Sequence, residues 1–242
     1  MESKYKKSIA IIIPMFNEEM DAENCIDSVI KEINKLPYCI KLFVVNDGST
    51  DKTLSIIKGK KHIYKDRLEV ISCKSNGGYG YALKQGINKA AQKNFDYVLF
   101  MDSDLTNNPK DIYKFIKQLK HDPDCVKASR YIKGGGMRDI PLKRQVISRL
   151  VNSISSLLFG LGIKDCTNGF RMVKLSKIKE INFREKSFPI IVEELYYLKK
   201  NNSKIIEIPA ILTSRKNTRS NFTYRPSTFY NYLKYPLKAL FA

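Results

Sequence analysis

A chain of 242 residues that is 43% hydrophobic, with only 12 Gly and 9 Pro, is long enough for one α/β domain or two small ones and is unlike disordered or repetitive sequences. Its five Cys residues are scattered without a CxxC pair, which argues against a disulfide framework or a zinc knuckle and indicates a reducing, cytosolic compartment. The formal net charge is +19, and residues 110–242 carry most of it with 27 basic and 10 acidic side chains, which predicts an anionic partner such as a phosphate ligand, a nucleic acid or a lipid surface.

The first hundred residues alternate short β-branched runs with helical hydrophobic patterns, which is typical of βαβ units and a parallel sheet. Polar, acidic or glycine-rich residues follow each predicted strand, so a ligand crevice is expected where the carboxyl ends of these strands meet. The predicted strands are 9–13, 40–45, 68–72 and 97–101, and the predicted helices are 22–36, one beginning at 52, one ending near 93, and 111–119.

The pattern is less regular beyond residue 125, but no linker or internal repeat interrupts it. One domain over residues 1–225, followed by a basic and aromatic tail at 226–242, is therefore the expected organisation. No window reaches the roughly 18 apolar residues that a transmembrane helix needs. Predicted here are strands at 126–131, 165–173 and 205–211, helices at 141–161 and 188–200, and a mobile glycine loop at 134–136.

Asp102 and Asp104 flank a single residue at the end of the fourth predicted strand. Carboxylates at this spacing can converge on one hard divalent cation, and Mg²⁺ or Mn²⁺ readily bridges such ligands to substrate phosphates. An isolated Asp-x-Asp is also common in solvated turns that cap a following helix. The pair alone therefore leaves a metal site and a turn as alternatives.

Four motifs follow the four predicted strands in order, and together they carry more information than the acidic pair. They are Pro14-Met15-Phe16-Asn17-Glu18-Glu19, Val45-Asn46-Asp47-Gly48-Ser49-Thr50-Asp51, Asn76-Gly77-Gly78-Tyr79-Gly80-Tyr81-Ala82 and Met101-Asp102-Ser103-Asp104. The series resembles family 2 glycosyltransferases of the GT-A fold, which use nucleotide-sugars and invert the anomeric centre. A dinucleotide-binding protein would need a Gly-x-Gly-x-x-Gly motif after its first strand, where this chain has none.

The resemblance implies an α/β GT-A fold whose Rossmann-like, mostly parallel central sheet is flanked by helices, with residues 1–109 as its nucleotide-sugar-binding half. It also implies that Asp102 and Asp104 hold Mg²⁺ or Mn²⁺ on the donor diphosphate, where a cation offsets the charge of the leaving group. The implied nucleotide-sugar-binding residues are Pro14, Asn17, Glu18, Asp47, Asn76, Gly77, Asp102, Ser103 and Asp104, with Asp47 on the base.

Segments of the second half resemble one branch of this family, the dolichyl- and polyprenyl-phosphate sugar synthases. The similar segments are 129–136, 143–148, 165–171, 194–197, 206–209 and 214–215. The resemblance implies that the half formed by residues 110–225 binds the phosphate of a polyprenyl lipid. The implied roles are lipid-phosphate binding by Arg130, Arg144 and Ser148, diphosphate binding by Arg215, and catalysis by Asp104, Arg130 and Arg215. Thr106 departs from this branch, which often has Gln there.

The acceptor decides whether a general base is needed. A lipid phosphate is already ionised near neutral pH, so cationic positioning matters more than deprotonation, and arginine grips phosphate oxygens in a fork geometry. A saccharide hydroxyl acceptor, as in polysaccharide or glycolipid synthesis, would instead require a base. Glu193 or Glu194 is the candidate for that role, with a helix-start carboxylate as the alternative interpretation.

Two segments could meet a bilayer. The helix predicted at 141–161 has a broad apolar face and a basic start, which suits either a membrane interface or a buried core. The tail at 228–242 interleaves aromatic and Lys residues, which suits an interface or a docked tail. We expect a peripheral protein on the inner, cytoplasmic face of an anionic membrane. No nucleic acid is expected, because no nucleic-acid-binding motif accompanies the positive charge.

Overall fold

The computed structural model describes residues 7–215 and 226–241, with only the backbone of 226–229. Strands and helices alternate through the first half, and the second half adds further strands, two long helices and a C-terminal helix. The strands are β1 (Ser8–Met15), β2 (Cys39–Asn46), β3 (Leu68–Ser72), β4 (Tyr97–Phe100), β5 (Cys125–Ser129), β6 (Gly136–Met137), β7 (Arg171–Lys174), β8 (Ile205–Pro209) and β9 (Ile211–Leu212). The helices are α1 (Ala22–Ile33), α2 (Thr53–Tyr64), α3 (Tyr79–Gln92), α4 (Ile112–Gln118), α5 (Leu142–Phe159), α6 (Ile190–Lys200) and α7 (Pro226–Lys238).

Seven strands form one sheet in the order β3-β2-β1-β4-β7-β5-β8. The strand β7 is antiparallel to both of its neighbours, and the other pairs in this sheet are parallel. The four strands of the first half therefore all end at one edge, as the sequence predicts. The GT-A arrangement of a mostly parallel sheet between helices is confirmed.

Both faces of the sheet are covered by helices, which explains why β1 is an uninterrupted apolar run. Successive side chains of a strand point to opposite faces. Ile11 accordingly joins the core that contains Ile26 of α1 and Phe115 of α4, whereas Ile12 joins the core that contains Leu83 of α3 and Leu195 of α6. Apolar contacts on both faces of the sheet therefore stabilise β1.

The strand predicted at 165–173 is wrong in its first part, because only β7 forms there. Side chains in the preceding loop take the backbone donors that a strand would have used: Asp165 Oδ1 accepts from the Asn168 amide at 3.1 Å, and Asn168 Oδ1 accepts from the Phe170 amide at 3.0 Å. Such local bonds compete with a sheet ladder. The chain therefore stays a loop until it reaches β7.

A second, two-stranded sheet lies beside the main one and was not predicted. Gly136 pairs with Ile211, and Met137 pairs with Leu212. The loop prediction at 134–136 is thus wrong for its last glycine, and the strand predicted at 205–211 is divided between β8 and β9. Within the described residues, no helix combines the length and apolar character needed to span a bilayer.

Candidate active site

A cavity of about 860 Å³ opens at the edge where β1, β2, β4 and β5 end. Most of the residues implied by the sequence lie on its wall: Pro14, Glu18, Asp47, Asn76, Asp102, Ser103, Asp104, Arg130, Arg144, Ser148 and Arg215. Asn17 and Gly77 do not line the cavity. The crevice predicted from the strand ends therefore exists and collects residues from both halves of the chain.

Asp102 and Asp104 lie together at the end of β4, and each is held by a neighbouring hydroxyl. The Tyr79 hydroxyl donates to Asp102 Oδ1 at 3.1 Å, and Thr106 donates to Asp104 Oδ1 through its hydroxyl at 2.8 Å and its amide at 3.1 Å. Burial, and next the charge of Asp104, raise the pKa of Asp102 to about 6. Two carboxylates that repel one another in this way form a site that a cation would stabilise.

Arg215 crosses the cavity to this acidic pair. Its Nε donates to Asp104 Oδ2 at 2.6 Å and its Nη2 donates to Glu18 Oε1 at 2.8 Å. Burial raises the pKa of Glu18, and the charge of Arg215 opposes that rise. A residue from the second half therefore joins two residues of the first half at the same point.

Asp47 organises the glycine-rich turn that precedes α3. Its Oδ1 accepts from the Gly77 amide at 3.0 Å and its Oδ2 accepts from the Gly78 amide at 2.8 Å. Gly78 has φ of 92°, and a Cβ there would lie 2.4 Å from the Lys186 carbonyl oxygen. Both carboxylate oxygens of Asp47 thus shape the cavity wall, and the position demands glycine.

Asn17 shapes the loop beside the cavity. Its φ of 54° is unusual for a side-chain-bearing residue, and its Oδ1 accepts from the Thr50 amide at 2.8 Å. The bond joins the loop after β1 to the loop after β2. This contact gives Asn17 a structural role, and contact with a nucleotide stays a prediction.

Basic and hydroxyl side chains of α5 also line the cavity. The helix α5 presents Arg144, Ile147, Ser148 and Val151 to it, and their spacing places them on one helical face. The Ser148 hydroxyl is 2.7 Å from that of Tyr131. All three residues that the sequence implies for the lipid phosphate line this cavity, and two of them lie on α5.

Glu193 and Glu194 lie away from the cavity wall. The carboxylate of Glu193 accepts from the amides of Arg184 and Glu185 at 2.9 to 3.1 Å, and Glu194 holds Arg171 at 2.6 and 3.0 Å. Both side chains are buried. Both carboxylates are thus engaged in contacts that hold the fold together. This arrangement does not support a role for either one as a general base.

Tyr232 of α7 was not predicted as a site residue, although it lines the cavity. The helix α7 is anchored by Lys234 Nζ and the Tyr235 hydroxyl, which both donate to Glu185 Oε1 at 2.9 Å. The aromatic and basic composition of residues 228–242 predicts an interfacial or docked tail. It does not show which aromatic side chain of that tail would reach the cavity. The position of Tyr232 depends on how α7 packs, which no local pattern reveals.

A mostly parallel sheet with a cleft at the ends of its strands, and an Asp-x-Asp pair beside that cleft, is the arrangement of the GT-A fold. Residues 10–181 match the sequence model of glycosyl transferase family 2, and the chain belongs to that family. The match includes all four motifs of the first half.

Two curated relatives share similar levels of identity with the chain. Polyprenol monophosphomannose synthase of Mycolicibacterium smegmatis is 26% identical over 209 residues, which cover 85% of this chain and 77% of the relative. Dolichol-phosphate mannosyltransferase of Pyrococcus furiosus is 27% identical over 229 residues, which cover 94% of this chain and 62% of the relative. The chain thus spans less than two thirds of the second relative's length.

Solved structures support the fold at lower identity. Glucosyl-3-phosphoglycerate synthase from Mycobacterium tuberculosis, in complex with Mn²⁺, UDP and glucosyl-3-phosphoglycerate, has a TM-score of 0.68 and 18% identity, covering 97% of this chain and 80% of its own. S. aureus TarS 1-349, in complex with UDP-GlcNAc, has a TM-score of 0.65 and 21% identity, covering 96% and 66%.

Proposed function

We propose that this enzyme transfers a sugar from a UDP- or GDP-sugar to the phosphate of a polyprenyl lipid at the cytoplasmic face of a membrane. The observation that carries the proposal is the division of α5 into two faces. One face places Arg144 and Ser148 on the cavity wall, and another exposes Leu142, Val146 and Leu150 by 74%, 59% and 60%. A single helix thus offers phosphate ligands beside a surface that suits an acyl chain.

The donor end of the cavity fits a divalent cation. Asp102 and Asp104 supply hard oxygen ligands, and Mg²⁺ or Mn²⁺ characteristically uses one or two carboxylates together with substrate phosphates. When bound, the cation offsets the negative charge that develops on the departing diphosphate. Arg215 lies within reach of the same position, so its guanidinium can bind the diphosphate oxygens.

The acceptor end fits a nucleophile that carries its own charge. An oxygen of the lipid phosphate attacks the anomeric carbon, the bond from that carbon to the diphosphate breaks, and the nucleoside diphosphate leaves. Arg130 and Arg144 orient the phosphate, and this step requires no proton acceptor. The framework positions of Glu193 and Glu194 agree with such a reaction.

Exposed apolar side chains next to basic ones support attachment to a membrane. Leu157 of α5 is 81% exposed and Phe241, just after α7, is 91% exposed. The helices α5 and α7 pack against each other, and Arg149 adds positive charge on α5. An anionic surface would attract that charge while the apolar side chains enter the acyl boundary.

The test is a donor screen with UDP- and GDP-sugars, Mg²⁺ or Mn²⁺ and a short polyprenyl phosphate, following release of nucleoside diphosphate. GDP-mannose is the first donor to try, because both curated relatives are named for mannose transfer. Release that depends on the lipid phosphate supports the proposal, and release only with saccharide acceptors overturns it.

A variant pair sharpens this test. Arg144→Ala removes a cavity cation, whereas Lys143→Ala removes the adjacent cation, which does not line the cavity. We expect R144A to raise the KM for polyprenyl phosphate about tenfold or more, because charge-assisted bonds contribute roughly 1.5 to 3 kcal/mol each. The K143A variant should differ little from the parent. Equal effects of the two substitutions would contradict a phosphate-binding role for Arg144.

A further inference from the structure

The guanidinium of Arg130 is fixed by a single carboxylate. Asp165 Oδ2 accepts from Arg130 Nε at 2.7 Å, and Asp165 Oδ1 accepts from Arg130 Nη2 at 2.8 Å. The backbone amide of Arg130 also donates to Asp165 Oδ2, at 2.9 Å. The pair is a bidentate fork, the geometry in which arginine loses the most freedom of orientation.

Asp165 is itself held firmly. Its side chain is fully buried, and its backbone amide donates to Glu207 Oε1 at 2.9 Å. Burial alone would raise the pKa of Asp165, but the charge and hydrogen bonds of Arg130 hold it below its usual value. A buried, ionised carboxylate therefore anchors the arginine to the framework of β8.

The fork leaves one side of the guanidinium available. Arg130 Nη2 also donates to the Thr167 hydroxyl at 2.9 Å, whereas Nη1 makes no hydrogen bond within the part of the chain that the structure describes. Arg130 lies on the cavity wall. Asp165 therefore occupies the Nε edge, and Nη1 keeps its two donors for a ligand.

The same network reaches the helix that carries the other phosphate ligands. Asn152 of α5 donates to the Thr167 hydroxyl at 3.0 Å and accepts from the amides of Cys166 and Thr167 at 2.8 and 3.1 Å. Asn152 lies one turn beyond Ser148 and donates to its carbonyl oxygen. The loop that holds Arg130 is thereby tied to the wall that holds Ser148.

We propose that Asp165 is a positioning residue for the acceptor, which holds Arg130 in the orientation that receives the acceptor phosphate. This inference rests on the proposed function, because it takes Arg130 to bind that phosphate. It goes further than that function, because it assigns to the acceptor site a buried carboxylate, Asp165, which fixes the orientation of Arg130. Asp165 contacts no substrate itself and acts through Arg130.

The test compares Asp165→Asn with Asp124→Asn. Both side chains accept a backbone amide, Asp165 from Arg130 just after β5 and Asp124 from Lys204, but Asp124 directly precedes β5 and so lies at the end of the strand remote from the cavity. In D165N an amide N–H₂ would face the Arg130 donors, so the fork is lost. We expect the KM for polyprenyl phosphate to rise about tenfold or more, with the donor KM changed less than about twofold. The D124N variant should leave both constants unchanged.

A double substitution separates positioning from general destabilisation. If Asp165 acts through Arg130, then D165N in an Arg130→Gln background should not raise the acceptor KM further. An additional increase of the same size as in the parent would overturn the inference, and so would equal effects on donor and acceptor constants. Thermal unfolding and nucleoside diphosphate binding show whether each variant is folded.

Thr167→Val provides a second route should D165N fail to fold. It removes the hydroxyl that accepts from Arg130 Nη2 and leaves the buried carboxylate in place, so we expect a threefold or larger rise in acceptor KM alone. An unchanged acceptor KM in T167V would count against positioning. If R144A weakens acceptor use while T167V and D165N do not, the inference fails and the proposed function stands. If no variant alters acceptor use and polyprenyl phosphate supports no turnover, the proposed function itself fails.

Discussion

Arg215 Nε lies 2.6 Å from Asp104 Oδ2, and both residues line the cavity. A divalent cation on Asp104 would have to share this carboxylate with the guanidinium. Glu18 holds the other side of Arg215 through Nη2, so the arginine has an alternative anion nearby. If Asp104 binds a metal ion as proposed, metal affinity should therefore depend on the position of Arg215.

The first prediction follows from that coupling. Arg215→Gln should raise the affinity for Mn²⁺ several-fold in the absence of donor, because a competing cation is removed from Asp104. The same variant should lower turnover, because it loses the arginine that we propose to bind the donor diphosphate. Mn²⁺ binding is measured by electron paramagnetic resonance, with the exposed Arg67→Gln as the control. Weaker Mn²⁺ binding in R215Q would show that the arginine does not compete.

The second prediction concerns pH. Burial and the neighbouring Asp104 raise the pKa of Asp102 to about 6, so the proton competes with a metal ion below that pH. Mn²⁺ affinity should fall as the pH drops from 7 to 5, and Asp102→Asn should bind Mn²⁺ weakly at every pH. Metal titrations across this range give the profile. Affinity independent of pH would exclude Asp102 as a ligand.

The same pKa shift has a consequence for stability. A carboxyl group whose pKa is higher in the folded than in the unfolded chain destabilises the fold increasingly as the pH rises from the unfolded to the folded value, and the full penalty applies above the folded value. Without metal, D102N should therefore have a higher Tm than the parent at pH 8, with a smaller difference at pH 4. Calorimetry at the two pH values measures it. A larger gain at pH 4 would reverse the expected sign.

The third prediction tests the exposed face of α5. Leu157→Asp replaces a side chain that is 81% exposed, so the free energy of unfolding should change by less than about 0.5 kcal/mol. Binding to anionic phospholipid vesicles should weaken severalfold in co-sedimentation. Ser55→Asp, an exposed position on α2, introduces the same charge as the control. Equal loss in both variants would attribute the effect to charge alone.

The fourth prediction tests whether Glu194 stabilises the fold or acts in catalysis. Glu194→Gln leaves the buried Arg171 without its counter-charge, and breaking a buried pair costs roughly 3 to 5 kcal/mol. The variant should therefore unfold at lower temperature and retain most of its kcat below that temperature. Chemical denaturation and single-turnover rates measure the two effects. A loss of a thousandfold in the chemical step without destabilisation would restore the general-base hypothesis.

Much of the donor half could be predicted from the sequence, because its signals are local. The apolar run at 9–13 identifies a strand buried on both faces, and Asp102 and Asp104 follow a strand by direct succession. The signals in the acceptor half are less local, because its contacts join residues that are far apart in the chain. The partners Arg130 and Asp165 are 35 residues apart, and their pairing depends on a loop whose side chains replace strand hydrogen bonds. The local sequence around Arg130 or Asp165 does not indicate which residue its side chain binds.

Glu18 and Arg215 are separated by 197 residues in the chain, and this distance has a consequence for the order of folding. Domains emerge from the ribosome N-terminal end first, so the parallel strands of the first half can pair long before Arg215 has been synthesised. The cleft of a partial chain would lack Arg215. The carboxylates of Glu18 and Asp104 would then lack the guanidinium that binds both of them. If Arg215 binds the donor as proposed, an unfinished polypeptide would transfer no sugar until the segment that carries Arg215 has packed against the first half.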